Sequence, residues 1–167
     1  MDSDELRAIQ APIKQRYRDE PGSALLTLHA EGQLGDEEVS CSVATGRAMV
    51  DAGLHPYSGG DGSLACSGDM LLQALVACAG VTLRSVATAI GITASGTIRA
   101  EGDLDFKGTM GVDRETSVGF TAIRLMFDLD TTADTAAVEK LIELTERYCV
   151  VLQTLAAGVR PTVTVAA

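Results

Sequence analysis

Two cysteines lie in segments that suit thiol chemistry. Cys78 lies in the run LLQALVACAGVTLRSVA, and Cys149 lies in LTERYCVVLQTL. Both runs have the apolar spacing of helices, so the two thiols approach each other if both helices pack in one core. A buried free cysteine often serves only as a small hydrophobic side chain. The residues alone therefore leave two roles open for the pair, packing and chemistry.

The chain has four cysteines, and Cys41 and Cys66 are the other two. No two cysteines form a C-x-x-C pair, so we expect neither a thioredoxin motif nor a paired zinc knuckle. Cys41 falls in a predicted strand, where packing is its expected role. Cys66 precedes a predicted helix and is expected to be more exposed. The sequence leaves open whether Cys66 competes for a disulfide.

Two long helices are predicted to carry Cys78 and Cys149. The nearly continuous apolar run Met70–Leu83 predicts a central helix over 69–90, capped by Ser67 and buried on all sides. A second helix is predicted over 134–157, with Cys149 on its apolar stripe. The glycine-rich stretch 51–68 precedes the central helix and is either a functional loop or a crossover.

Strands in hairpins are expected to support these helices. Alternating apolar residues predict one strand over 117–130, and turn residues separate the other strands. The predicted strands are 24–30, 39–44, 97–105, 117–130 and 162–165, and a first helix covers 4–17. This order favours an α+β class with antiparallel sheets and two long central helices. We expect one domain over 1–167, with residues 1–20 as a helical extension.

Composition excludes several classes of function. The chain has 167 residues and a formal net charge of −10, so an anionic nucleic acid or membrane surface is a poor partner. The N-terminus lacks the pattern of a secretory signal, and Met70–Leu83 is shorter than the ~20 residues that span a bilayer. We therefore expect a soluble cytoplasmic protein with reduced thiols and no metal site.

The cysteine motifs resemble those of a known family. The segment LHPYSGGDGSLACSGDMLLQALVACAGVTLRSVA, which begins at Leu54, is similar to the signature region of the OsmC/Ohr family. That family is named after osmotically inducible protein C and organic hydroperoxide resistance protein. The resemblance continues through GFTAIRLMF and RYCVVLQTL, and it covers most of the chain beyond the first helix.

The resemblance implies a thiol peroxidase that acts on organic hydroperoxides. It implies that a Cys78 thiolate attacks the peroxide and that the resulting sulfenic acid condenses with Cys149 to a disulfide. An external dithiol, such as a lipoyl group, then reduces the disulfide, and no bound cofactor is needed. The implied fold is an intertwined homodimer with its sites at the subunit interface.

The family's peroxidases hold the thiolate with an arginine from the first hairpin, which a glutamate orients. The hairpin turn EGQLGDEE of this chain has no arginine, so Arg47 is our best candidate, followed by Arg16 and Arg18. Gly68 stands at the position of the glutamate. The adjacent Asp69 is the candidate for its role.

A second interpretation follows from these departures. The family's peroxidases have Pro-Val-Ser after the second cysteine, whereas this chain has Val-Val-Leu at 150–152. Such departures are typical of a divergent OsmC-like branch. The alternative to a peroxidase is a redox-inactive dimer of the same fold that binds a small apolar ligand.

Overall fold

The structure, a computed structural model, describes residues 3–34, 41–43, 52–160 and 162–163. The helices are α1 (Ser3–Asp19), α2 (Ser67–Ile90), α3 (Phe106–Thr109), α4 (Thr135–Tyr148) and α5 (Val150–Ala157). The strands are β1 (Leu25–Leu34), β2 (Cys41–Val43), β3 (Ala52–Gly53), β4 (Ala65–Cys66), β5 (Ala94–Asp105) and β6 (Ala122–Thr131).

An antiparallel sheet forms one layer of the fold. Among the described residues it has four strands in the order β2-β1-β5-β6. The predicted strands in hairpins are confirmed for β1 with β2 and for β5 with β6, and so is the α+β class. The strand predicted from residue 117 begins only at Ala122, because residues 117–121 leave the ladder.

The main core lies between α2 and the sheet. The inward residues of α2 are fully buried against Ala94, Ile98 and Ala100 of β5 and against Leu141 of α4. They are Leu72, Leu75, Val76, Ala79, Leu83 and Ala87. On β6, alternate residues face this core as the sequence predicted, among them Ile123 and Leu125. Fully burying one of the three inward leucines of α2 stabilises the fold by about 1.5–3 kcal/mol.

The outer face of α2 differs from the sequence prediction. The helix is not buried on all sides, because Met70, Leu71, Val81 and Ile90 are exposed in the protomer. By length and composition α2 qualifies as a membrane-spanning helix, a test that core helices of soluble proteins also pass. The predicted cap was wrong by one residue, since Cys66 rather than Ser67 is the N-cap.

The predicted helix over 134–157 is two helices. The chain leaves the helical conformation at Cys149, where φ is −72° and ψ is 105°, and α5 begins at Val150. The apolar stripe continues across this break, so the periodicity of the sequence gives no sign of it. Thr162 and Val163 have no regular structure, and the rest of the predicted last strand lies outside the described residues.

The two ends of the glycine-rich stretch before α2 are hydrogen-bonded to each other. Its ends pair as the short parallel strands β3 and β4, and a 3₁₀ turn at Pro56–Ser58 lies between them. The first helix packs on this loop, since the buried Tyr17 of α1 donates its hydroxyl hydrogen bond to the carbonyl of Tyr57. Residues 52–66 therefore form an ordered wall at the N-terminal end of α2.

Candidate functional site

The Cys78 and Cys149 thiols are in hydrogen-bond contact. Cys78 lies in the middle of α2 and is half-buried, whereas Cys149 at the break between α4 and α5 is fully buried. The Cys149 thiol donates to the sulfur of Cys78. The structure thus brings together the two cysteines that the sequence singled out.

The break at Cys149 frees backbone amides next to the thiols. The amide of Cys149 still donates to the carbonyl of Thr145 at 2.9 Å, and the amide of Gln153 donates to the carbonyl of Cys149 at 2.9 Å. The amides of residues 150–152 lie in the first turn of α5, where an α-helix has no internal acceptors. Hydrogen bonding from these amides lowers the pKa values of the two thiols.

The Gln153 side chain binds a backbone carbonyl that the break in the helix leaves without a donor. Its side-chain amide donates to the carbonyl of Glu146 at 2.8 Å. In an unbroken helix, the amide of Val150 would occupy that carbonyl. Gln153 therefore supports the end of α4 and leaves the Val150 amide available to Cys78.

The surroundings of Cys78 favour its thiolate. Burial alone raises the pKa of Cys78, but hydrogen bonds to the sulfur outweigh it and lower the pKa below its usual value. The donors are the amides of Val151 and Val150, the Cys149 thiol and the Thr82 hydroxyl, one turn along α2. These donors are uncharged groups at a helix N-terminus or beside it, an environment that lowers thiol pKa values.

The pKa of the Cys149 thiol is shifted in the opposite direction. Burial raises the pKa of its thiol, and the contact with Cys78 raises it further, because Cys149 must keep its proton to donate it. Two titrating groups in contact share their proton equilibria, and the opposite shifts mean that the first proton to leave the pair comes from Cys78. Deprotonation of the pair is therefore favoured at the more accessible sulfur, that of Cys78.

Within the part of the chain that the structure describes, Asp69 is not among the groups that shift the pKa of Cys78. Asp69 lies in the first turn of α2, nine residues or about 13 Å of helical rise before Cys78. Its negative charge acts on His55, whose pKa is lowered by burial and raised in part by Asp69. Arg47 lies outside the described residues. The roles assigned to both residues remain predictions.

Cys66 is separated from the pair. As the N-cap of α2 it lies twelve residues, or about 18 Å of helical rise, from Cys78. This distance is well beyond the Cα separation of a disulfide, which is below about 7 Å. Cys66 therefore does not compete for the disulfide within one protomer, which answers the question that the sequence left open.

An apolar cleft of about 330 Å³ opens one helical turn from each cysteine. We call it the thiol-side cleft. Leu75 of α2 and Leu152 of α5 each lie three residues from a cysteine, and β6 closes the far side. The lining is Leu75, Phe120, Thr121, Ala122, Ile123, Leu125, Leu152, Leu155 and Ala156. Such a cleft suits a small ligand with an apolar substituent.

Sequence reasoning missed Thr82, Gln153 and the α5 amides. Thr82 was visible as the residue four positions after Cys78, the spacing that puts two side chains on one helical face. The amides gave no signal, because they carry no side-chain identity. Among the described residues, no group of three or more His, Cys, Asp or Glu side chains converges as a metal site.

Comparison with known proteins identifies the family of this chain. The family described as OsmC-like protein matches residues 60–164, which include both cysteines. No curated protein is similar enough to count as a relative. A similar solved structure is an OsmC-like hydroperoxide resistance protein from Jannaschia sp. CCS1, with a TM-score of 0.52 and 16% identity. The match covers 84% of this chain and 91% of that chain, and it shows a shared fold. The chain belongs to the OsmC-like family.

Proposed function

We propose that the protein is a thiol peroxidase that reduces organic hydroperoxides, with Cys78 as the attacking thiolate and Cys149 as the resolving thiol. The observation that carries the proposal is the contact between two thiols whose pKa values shift in opposite directions. The name of the similar Jannaschia protein, a hydroperoxide resistance protein, supports the same class of substrate.

The proposed reaction uses the opposite pKa shifts of the two thiols. The Cys78 thiolate attacks the distal oxygen of the hydroperoxide, the O–O bond breaks, and the departing alkoxide takes a proton to become an alcohol. The resulting Cys78 sulfenic acid reacts with the Cys149 thiol, which forms the S–S bond and releases water. Contact between the two sulfur atoms in the reduced state means that this condensation needs no large movement.

The same burial pattern selects the sulfur that the reductant attacks. An external dithiol, such as a lipoyl group, reduces the disulfide through a mixed disulfide. Cys149 has no exposed surface, so the incoming thiolate reaches the half-buried Cys78 sulfur and expels Cys149. Reduction in the cytoplasm then returns both thiols, and no bound cofactor takes part.

A homodimer would cover the exposed apolar surface near the site. Met70, Leu71 and Val81 are exposed on the outer face of α2, and Val150 beside the thiols is 70% exposed. Apolar surface of this kind on two neighbouring helices indicates a protein contact. A second copy of the chain, as in the intertwined dimer that the family resemblance implies, is the proposed cover.

A second candidate function is the binding of a small apolar ligand without redox chemistry. The thiol-side cleft favours it, since its lining is almost entirely apolar. In that case the thiols act as packing groups beside the ligand. The reactivity of Cys78 distinguishes the two candidates, because only the peroxidase needs a reactive thiolate.

Peptide-mapped oxidation tests the proposal. The reduced protein is treated with one equivalent of cumene hydroperoxide, alkylated, digested and read by mass spectrometry. We expect a rapid Cys78–Cys149 crosslink, peroxide consumption that Cys78→Ala abolishes, and full activity in the control Cys66→Ala, about 18 Å away along α2. Unoxidised Cys78 and Cys149 after this treatment would leave ligand binding as the function.

A further inference from the structure

A second cleft lies directly beyond the thiol-side cleft. It measures about 440 Å³ and is formed where α2 begins, between the glycine-rich loop and β5. Its lining includes His55 and Cys66 together with the apolar residues Leu71, Leu104 and Phe106. We call it the Cys66 cleft.

The two clefts follow one another along α2, away from Cys78. Leu75 lines the thiol-side cleft, and Leu71, one turn nearer the N-terminus, lines the Cys66 cleft. Cys66, at the end of this line, is about 18 Å of helical rise from Cys78. Phe120 is the one described residue that lines both clefts.

Phe120 is held firmly at this boundary. Its ring lies against β5 at Gly102, where a Cβ atom would come within 2.5 Å of Phe120 Cε1. The next residue, Thr121, donates from both its amide and its hydroxyl to the carbonyl of Asp103, at 2.9 and 3.1 Å. Only glycine at position 102 leaves room for the ring. The close packing on Gly102 and the hydrogen bonds of Thr121 together hold the Phe120 ring between the two clefts.

We infer that Phe120 is a partition that limits how far an apolar substituent can extend from the Cys78 site, and that the Cys66 cleft is the subsite it closes off. The inference rests on the proposed function, since the substituent belongs to the hydroperoxide. Compact hydroperoxides fit the thiol-side cleft of the natural protein, and a long alkyl chain meets the Phe120 ring. Removing the ring joins the two clefts.

Cys66 serves as a built-in reporter for this partition. The reduced protein is alkylated with iodoacetamide with and without dodecanol, the alcohol that dodecyl hydroperoxide would yield, and Cys66 is followed by peptide mapping. Dodecanol should leave Cys66 alkylation unchanged in the natural protein and slow it about tenfold in Phe120→Ala, the order of effect that apolar pocket contacts produce. Cumyl alcohol, which is compact, should protect Cys66 in neither protein.

A matched control separates the partition from general loosening. Phe127→Ala removes a ring that packs on the core from β6 and lines neither described cleft, and it should give no protection of Cys66. Phe120→Leu, a milder change, should give partial protection if Phe120→Ala does not fold. Turnover supplies a second readout: the ratio of kcat/KM for dodecyl against cumene hydroperoxide should rise about tenfold in Phe120→Ala.

Protection of Cys66 by dodecanol in the natural protein, or none in either Phe120 variant, would overturn the inference. The alkylation test involves no peroxide, so it stands apart from the peroxidase proposal. Protection of Cys66 in Phe120→Ala, together with no peroxide consumption by any form of the protein, would support the partition and refute the proposed function.

Discussion

The backbone amide of Val150 offers the sharpest test of how the Cys78 thiolate is stabilised. Val150→Pro removes this amide and leaves the surrounding backbone its other hydrogen bonds, because Gln153 rather than Val150 donates to the carbonyl of Glu146. Proline is favoured at the first position of a helix, and Cys149 already has the extended conformation required before proline. The Val150 side chain is 70% exposed, so little packing is lost.

The expected effect is a rise in the pKa of Cys78. A hydrogen bond to a charged group contributes about 1.5–3 kcal/mol, and one pKa unit corresponds to about 1.36 kcal/mol. Cys78 is only half-buried, so water replaces part of the lost interaction, and we expect the lower end of the range. The pKa of Cys78 should therefore rise by about one unit, which lowers the thiolate fraction near neutral pH about tenfold.

The assay is the pH dependence of Cys78 alkylation by iodoacetamide, followed by peptide mapping in the reduced protein. Val150→Ala is the matched control, since it shortens the side chain and keeps the amide. Only Val150→Pro should shift the midpoint upward, and peroxide consumption near neutral pH should fall in parallel. The same midpoint in Val150→Pro and Val150→Ala would refute the claim that this amide stabilises the thiolate.

Three further outcomes are expected from the same site. Gln153→Leu should lower the free energy of unfolding by about 1 kcal/mol in urea denaturation, because the Glu146 carbonyl loses its donor; an unchanged midpoint would show that this bond contributes nothing. Thr82→Val should slow alkylation of Cys78 near neutral pH by raising its pKa, while the fold, followed by circular dichroism, stays intact; equal rates would remove Thr82 from the site. On raising the pH, the Cys78 peptide should become reactive before the Cys149 peptide, because the pKa of Cys78 is lowered and that of Cys149 is raised; the reverse order would exchange their proposed roles.

Hydrophobic periodicity predicted most of the architecture. The first hairpin, the pairing of β5 with β6 and the central helix that carries Cys78 follow from apolar spacing and turn residues. The meeting of Cys78 with Cys149 follows from the same signal, since both cysteines lie on faces that had to be buried. These features depend on which side chains are apolar, which a single sequence displays directly.

The features that determine the chemistry of the site leave no comparable pattern in the sequence. The break at Cys149 carries neither glycine nor proline, and apolar residues continue on both sides of it. Residues 117–121 looked like strand, yet they leave the ladder and place Phe120 against Gly102. Each feature depends on backbone hydrogen bonds and on free space around one residue, neither of which a residue pattern reports.

One backbone event accounts for the difference between the two thiols. The break at Cys149 ends α4 with that cysteine buried and starts α5 with its amides directed at the sulfur atoms. An unbroken helix would tie those amides to carbonyls four residues earlier, so fewer hydrogen bonds would oppose the burial that raises the pKa of Cys78. The chain that has no arginine in its first hairpin turn therefore carries, at the second cysteine, a set of uncharged donors that can hold a thiolate. We accordingly expect the reactivity of Cys78 to depend on the conformation at Cys149.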